Sequence, residues 1–192
     1  FSNFDTARYV LDDFGVEFAG ARSEKYEKGS RKPEVKPATL EQDLSRRDFT
    51  VNAMDRKVEK SGLGKIVDPY NGQKDLKKKI LSTPLDPDET FYDDPLRMIR
   101  AARFASQLGF SIDSKVLEAI HRNVKRLKIV SAERIIEEFF KLLKTLKPSV
   151  GLQILYATKL LDEFLPEVSQ LSGVEEVGGY KHKDNLSHTF DV

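Results

Sequence analysis

Asp93-Asp94-Pro95-Leu96-Arg97-Met98-Ile99-Arg100-Ala101-Ala102-Arg103-Phe104-Ala105-Ser106 is the stretch at which the chain changes character. Before it lie short runs of β-branched and aromatic residues cut by turn formers. After it, apolar residues recur at helical spacing. Pro95 suits a first helical turn, where its missing N–H removes no bond. Leu96, Ile99, Ala102 and Ala105 or Ser106 form one apolar stripe, and Gly109 closes the helix after Leu108. Asp113 to Val124 predicts a second helix. Ser131 to Leu146 predicts a third, N-capped by Ser131, with Ile135, Ile136, Phe139, Phe140, Leu142 and Leu143 as a wide apolar face. Pro148 to Leu161 predicts a fourth, and Leu165-Pro166 to Gly178-Gly179 reads as a linker into a segment that begins near Tyr180.

Upstream, Thr6 to Leu11 and Gly15 to Ala21 suit two paired strands around Asp12-Asp13. Ser23 to Thr39 has no period of either kind and predicts an exposed loop. Thr39-Leu40-Glu41-Gln42 has the form of a capping box that opens a short helix. Phe49 to Met54 favours a strand, as does Ile66-Val67, and Asp75 to Lys79 favours a helical turn with a solvated run of lysines. The expected class is α+β, with a small β-containing unit over 1–83, a helical array over 84–165, and a linker with the start of a further unit over 166–192.

A length of 192 residues accommodates one or two domains with a genuine core. With 32 basic against 31 acidic residues the net charge is +1, which excludes the single-sign field of a histone-like binder, so any contact with nucleic acid must be local. The absence of cysteine excludes disulfides and thiolate metal sites, and cytoplasm is the expected compartment. No apolar run approaches the roughly 20 residues that span a bilayer, and no membrane partner is expected. The chain starts at Phe1 and stops at Asp191-Val192 inside an amphipathic pattern, which leads us to expect a piece of a longer protein.

Asp94 and Arg97 stand three apart, on one face of the expected helix near its start. On their Watson–Crick edges cytosine and adenine present an amino donor beside a bare ring nitrogen, whereas uracil and guanine present a carbonyl beside an N–H. A carboxylate plus a guanidinium matches the first pair and repels the second; the bland alternative is an intrahelical ion pair. Arg100 and Arg103 continue from Arg97 in three-residue steps, a track for phosphate oxygens or a solvated basic face. Adjoining the expected strand, Arg47 can meet a triphosphate while Asp48, with Asn52 on its side, braces or meets a ribose hydroxyl; an Asx-turn with a loop ion pair is the alternative. Arg134 to Lys141, with Glu137 or Glu138 between, reads as intrahelical support.

Arg46-Arg47-Asp48-Phe49-Thr50-Val51-Asn52-Ala53, then Asp68-Pro69-Tyr70-Asn71-Gly72 with Asp75, then Asp93-Asp94-Pro95-Leu96-Arg97, taken in this order, resembles the class II tRNA nucleotidyltransferase and bacterial poly(A) polymerase family. The resemblance implies a partial nucleotidyltransferase head over 1–83, a helical neck and body over 84–165, and the start of a truncated HD-type domain within 166–192. It implies template-independent addition of CTP and ATP to the 3′ end of RNA with magnesium, tRNA CCA addition first and poly(A) or A-only addition as the alternative. Asp94 and Arg97 would read the base, while Arg47, Asp48, Asn52, Arg100 and Arg103 would contact the nucleotide. The Asp68 block would be a hinge.

The family holds its metal ions with an Asp-x-Asp that follows a Gly-Gly or Gly-Ser loop. Asp86-Pro87-Asp88 and Gly178-Gly179 stand in the wrong places for it, so no metal ligand is assigned within the chain and the motif is expected upstream. Glu17, on the predicted strand Val16 to Ala19, is carried as a third carboxylate beside that pair, against the alternative of a surface Glu. Without the pair, this polypeptide is expected to bind nucleotide weakly and to catalyse little. Tyr180 to Asn185 with His188 resembles the entrance to an HD-type phosphohydrolase domain, yet His182 and His188 read as solvated. Two other classes stand beside this reading: a non-catalytic RNA-binding module gripping phosphate through Lys74, Lys77, Lys78 and Lys79, and a nucleotide phosphohydrolase based on the His-containing end.

Overall fold

The structure is a computed structural model and describes residues 6–12, 14–25, 34–173, 176–177, 180–181 and 185–191. Among the described residues the first half is built from antiparallel hairpins. β1 (Thr6–Leu11) pairs with β2 (Phe14–Ala19), so that Arg8 faces Glu17. β3 (Arg22–Lys25) pairs with β4 (Glu34–Pro37), which places hairpin stems where the sequence predicts an exposed loop. Cross-strand pairing supplied by the fold overrides a stretch with no periodicity of its own. β5 (Asp55–Glu59) pairs with β6 (Gly62–Val67), with a register shift between Arg56 and Val58.

Between these hairpins stands α1 (Leu40–Ser45), which opens on the expected capping box: Thr39 Oγ1 accepts from Gln42 N–H at 3.3 Å and Gln42 Oε1 accepts from Thr39 N–H at 3.0 Å. The strand expected over 49–54 is instead a 3-10 turn at Thr50–Asn52. The side chain of Phe49 explains the difference. It is fully buried and meets Phe104 edge-on at 5.8 Å, so the segment is pinned by one aromatic plug rather than by a ladder. α2 (Gly72–Lys78) follows, and then β7 (Ile80–Leu81).

The helical part starts with α3 (Pro87–Asp93), continues in α4 (Leu96–Leu108) and ends that helix on Gly109 at φ 66°. β8 (Ser111–Ile112) then runs parallel to β7, α5 (Ser114–Asn123) is capped by Asp113, and a 3-10 turn covers Val124–Ile129. α6 (Ala132–Leu143) and α7 (Pro148–Ala157) both pack on α4. Ala101, Ala102 and Ala105 are fully buried in that contact, small enough to let the axes approach. α6 stops three residues short of its predicted end. Its apolar face is also narrower than expected, since Ile135 and Leu142 are buried while Ile136, Phe140 and Leu143 are exposed. α7 stops at Ala157 instead of Leu161 because Lys159 takes a left-handed φ of 64° and a 3-10 turn, Leu161–Glu163, follows.

Over the stretch read as a linker the chain forms α8 (Pro166–Ser169) and β9 (Glu176–Val177), and in the segment expected from Tyr180 it forms β10 (Tyr180–Lys181), paired with β9, and α9 (Asn185–Asp191). Leu186 and Phe190 of α9 join the core with α7, where Tyr156 meets Phe190 at 6.5 Å. Packing therefore crosses residue 166. The architecture is α+β, with the continuous core lying under α3, α4, α5, α6 and α7. Among the described residues, no helix is long and apolar enough to cross a membrane.

A cleft between the 46–52 segment, α4 and α6

Three pieces of chain enclose a cleft of about 650 Å³: the loop and 3-10 turn from Arg46 to Asn52, the start of α4, and the outer side of α6. Its lining has six cationic side chains (Arg46, Arg47, Arg97, Arg100, Arg134, Lys141) against four carboxylates (Asp48, Asp94, Glu137, Glu138), which leaves an excess of positive charge in a recess, the setting that attracts anions.

Asp48 joins two of the pieces. It is buried, and its Oδ1 accepts from Phe49 N–H at 2.8 Å and Asn52 Nδ2 at 3.1 Å, which folds the 3-10 turn over it. Its Oδ2 accepts from Arg100 Nε at 2.9 Å and from Arg100 Nη2, a two-pronged bond that ties the turn to α4. Asn52 thus lies beside Asp48, as a strand would also have placed it, but through a tight turn. Arg47 is half exposed and pairs with Asp43 at 2.8 Å. Asp43 also accepts from Arg46 Nη2 at 2.6 Å and from Arg22 N–H at 3.3 Å. Burial raises the Asp43 carboxyl, but the hydrogen bonds from Arg47, Arg46 and the Arg22 backbone outweigh it and hold the group below its ordinary value.

Asp94 and Arg97 both reach the cleft, but not as one helix face. Asp94 lies ahead of α4 in extended backbone (φ −139°, ψ 99°), and its Oδ1 accepts from Leu96 N–H at 3.2 Å, in the manner of a helix cap. Its ionic partner is Arg134 of α6, at 2.9 Å, rather than Arg97. Arg97 donates to two main-chain carbonyls, Arg46 O at 2.6 Å and Thr90 O at 3.2 Å. The two side chains expected to form a couple are each held by a third party.

Glu138 is the centre of the α4–α6 contact. It is buried and accepts from Arg103 Nε at 2.8 Å and Lys141 Nζ at 2.8 Å, with Arg100 Nη1 at 3.7 Å. Burial pushes its carboxyl up; the Lys141 hydrogen bond and the charges of Arg103 and Arg100 more than reverse that, so it sits below its ordinary value. Arg103 is 9 % exposed, bonds Gln107 at 2.8 Å and stacks over Phe104 at 3.9 Å. It braces the helix contact and does not line the cleft.

Glu17 is also outside the cleft. Its exposed side chain faces Arg8 at 3.9 Å on the first hairpin. Asp86 caps α3 by accepting from Asp88 N–H at 2.8 Å, and Asp88 pairs with Arg122 at 2.6 Å, so this Asp-Pro-Asp is used by the helix. The Asp68 block caps α2 and ties it to the 3-10 turn: Asp68 accepts from Gly72 N–H at 2.6 Å and Gln73 N–H at 3.0 Å, and Asp75 accepts from Thr50 Oγ1 at 2.7 Å. A Cβ at Gly72 would lie 2.2 Å from Thr50 O, so only glycine lets α2 rest on the 3-10 turn. His188 is exposed on α9, whereas His182 and Gly178-Gly179 lie outside the described residues.

The sequence reading left out Asp43 and read Arg134 and Glu138 as intrahelical support alone; Glu138 does pair with Lys141 on its own helix, but it also meets Arg103 of α4, and Arg134 crosses to Asp94. One signal was available for Glu138: it falls between Ile135 and Leu142 on the buried stripe of α6, where a lone carboxylate requires partners. Among the described residues no three His, Asp or Glu side chains converge to hold a metal ion.

Residues 1–82 match the family described as "Poly A polymerase head domain", and residues 109–171 match "Probable RNA and SrmB- binding site of polymerase A". The chain is 42% identical over 159 residues to tRNA nucleotidyltransferase cca2 of Schizosaccharomyces pombe, covering 81% of this chain and 32% of that protein. It is 40% identical over 163 residues to the CCA-adding enzyme of Pediococcus pentosaceus, covering 84% and 40% respectively. It thus spans 32% and 40% of the length of these two relatives. The Bacillus stearothermophilus CCA-adding enzyme in complex with CTP superposes with a TM-score of 0.74 at 30% identity, over 88% of this chain and 41% of that one. A tRNA nucleotidyltransferase complexed with a primer tRNA and an incoming ATP analog superposes with a TM-score of 0.74 at 31% identity, over 89% of this chain and 49% of that one. With motifs, fold and both domain descriptions in agreement, the chain belongs to the class II CCA-adding enzyme and poly(A) polymerase family.

Proposed function

We propose that this chain carries the nucleotide-selecting part of a template-independent RNA nucleotidyltransferase that adds CTP and ATP to the 3′ end of tRNA. The observation that carries the reading is the cleft itself, where an acceptor, Asp94, and a donor, Arg97, share a wall with Arg46, Arg47 and Arg100. The base edge meets the Asp94 and Arg97 pair, which complements the amino group and bare ring nitrogen of cytosine and adenine and opposes the reversed pattern of uracil and guanine. The triphosphate lies toward Arg47, with Arg100 held by Asp48, and Asn52 beside Asp48 faces the ribose. Arg103 supports this wall from behind through Glu138. The head match over residues 1–82 supports a head near the expected 1–83, the RNA-binding match over 109–171 runs past the expected boundary at 165, and the names of the relatives favour CCA addition over poly(A) synthesis. A cytoplasmic setting accords with it.

Nucleotidyltransferases generally use divalent metals, and magnesium is the ion this reading calls for; bound to a triphosphate it would neutralise the leaving pyrophosphate. The described residues offer no ligand cluster for it, and Glu17 faces Arg8 on the first hairpin, outside the cleft.

Calorimetric titration of the chain tests the reading. CTP and ATP bind more tightly than UTP and GTP, and Arg47→Ala raises the dissociation constants for CTP and ATP alike. Equal affinity for all four nucleotides removes it.

A further inference from the structure

The base-reading role assigned above to Asp94 and Arg97 leaves a physical difficulty. A carboxylate and a guanidinium three residues apart on the wall of one cleft attract each other, and a closed ion pair between them presents neither a free acceptor nor a free donor to a base. The structure resolves it from outside the pair. We infer that Arg134 is a specificity-determining positioning residue, whose guanidinium on α6 holds the Asp94 carboxylate away from Arg97 and so keeps the acceptor half of the reader open; the inference rests on the reading proposed for the cleft.

Arg134 Nη2 donates to Asp94 Oδ2 at 2.9 Å, and Nη1 approaches Oδ1 at 3.5 Å, a fork-on-fork approach that fixes a carboxylate in orientation as well as position. Leu96 N–H takes Oδ1 at 3.2 Å from the other side. A carboxylate offers about four lone-pair sites, so acceptor capacity remains for an incoming amino group. The donor half is held independently: Arg97 gives one nitrogen to Thr90 O and another to Arg46 O, and a guanidinium carries five N–H bonds in all. Acceptor and donor are thus set by α6 and by main chain, respectively, and not by one another. Arg134 is half exposed and lines the same cleft, so its loss leaves no sealed hole; it frees Asp94 to swing onto Arg97.

The test is equilibrium titration of the chain, wild type and variants, with CTP, ATP, UTP and GTP. Arg134→Gln lowers the preference for CTP over UTP and for ATP over GTP by about tenfold, the worth of one charge-assisted hydrogen bond, chiefly by weakening CTP and ATP. Arg134→Lys, which keeps the charge and loses the fork, falls between wild type and Arg134→Gln. A ratio that stays at the wild-type value in Arg134→Gln overturns the inference, whether all four affinities hold or fall together, because a merely structural role moves them by a common factor. If thermal melting finds Arg134→Gln unfolded, the ratio in Arg134→Lys decides in the same way. Asp94→Asn separates the two levels. Loss of preference in Asp94→Asn with retention in the Arg134 variants refutes Arg134 and leaves base reading in place, whereas retention in Asp94→Asn refutes base reading itself.

Discussion

Glu138 and Asp88 are both carboxylates that meet arginine, in surroundings that differ in one respect. Glu138 lies 4 % exposed between α4 and α6 with Arg103, Lys141 and Arg100 around it; Asp88 and Arg122 make a closer pair, at 2.6 Å, but with side chains 43% and 55% accessible. Distance would rank the Asp88 pair first. Solvent reverses the ranking, because water screens an exposed pair and competes for its hydrogen bonds, while a buried charge deprived of its partner has nothing else to bind. Glu138 and its neighbour Arg100 also line the cleft, whereas Asp88 and Arg122 do not.

The largest expected effect comes from breaking the buried side of this comparison. Glu138→Ala leaves Arg103 buried without its carboxylate and lowers unfolding stability by about 3–5 kcal/mol, read from denaturant midpoints at constant slope. A loss no larger than that of an exposed pair would mean that Arg103 finds water or Gln107 instead. Acid comes next. Asp43 and Glu138 are both held below their ordinary values in the folded protein, so their contribution is fully present above the unfolded carboxyl value and disappears as pH falls through the folded one. Stability therefore declines on acidification below about pH 5, and the decline is shallower in Asp43→Asn and in Glu138→Gln. An unchanged slope in both variants would place the acid sensitivity elsewhere. The smallest effect is at Arg122→Ala, which should leave the thermal midpoint where it is; a clear drop would show that the exposed pair, with Asn123 bonded to Asp88 at 2.6 Å, acts as a unit.

How much of this could be read from the chain divides along the same line. Periodicity gave α4, α5, α6 and α7 and the α+β class, and Thr39 with Gln42 gave a cap, because those signals are local, whereas α3, α8 and α9 lay outside that reading. The segment after Asp48 was misread as a strand because its β-branched and aromatic residues serve a plug, Phe49, whose socket is Phe104, some fifty positions away. Arg47, Asp48, Asn52, Asp94, Arg97 and Arg100 were gathered in one cleft by a motif order that no local rule explains. Arg103 and Arg134 exchanged places: one turned inward to Glu138 while the other crossed to Asp94. Spacing along a helix states which residues share a face, but it does not state what that face meets.

The two-residue ladder of β7 with β8 bears on assembly. Ser111 N–H donates to Lys79 O at 2.9 Å and Asp113 N–H donates to Leu81 O at 3.1 Å, across some thirty residues that include α3 and α4. A parallel pair encloses its whole crossover, so forming these rungs closes a loop of some thirty residues and carries that loop's entropy cost. The amides of Ser111 and Asp113 are accordingly clocks for the union of the hairpin-rich half with the helices, and their hydrogen exchange should slow in step once that union is made.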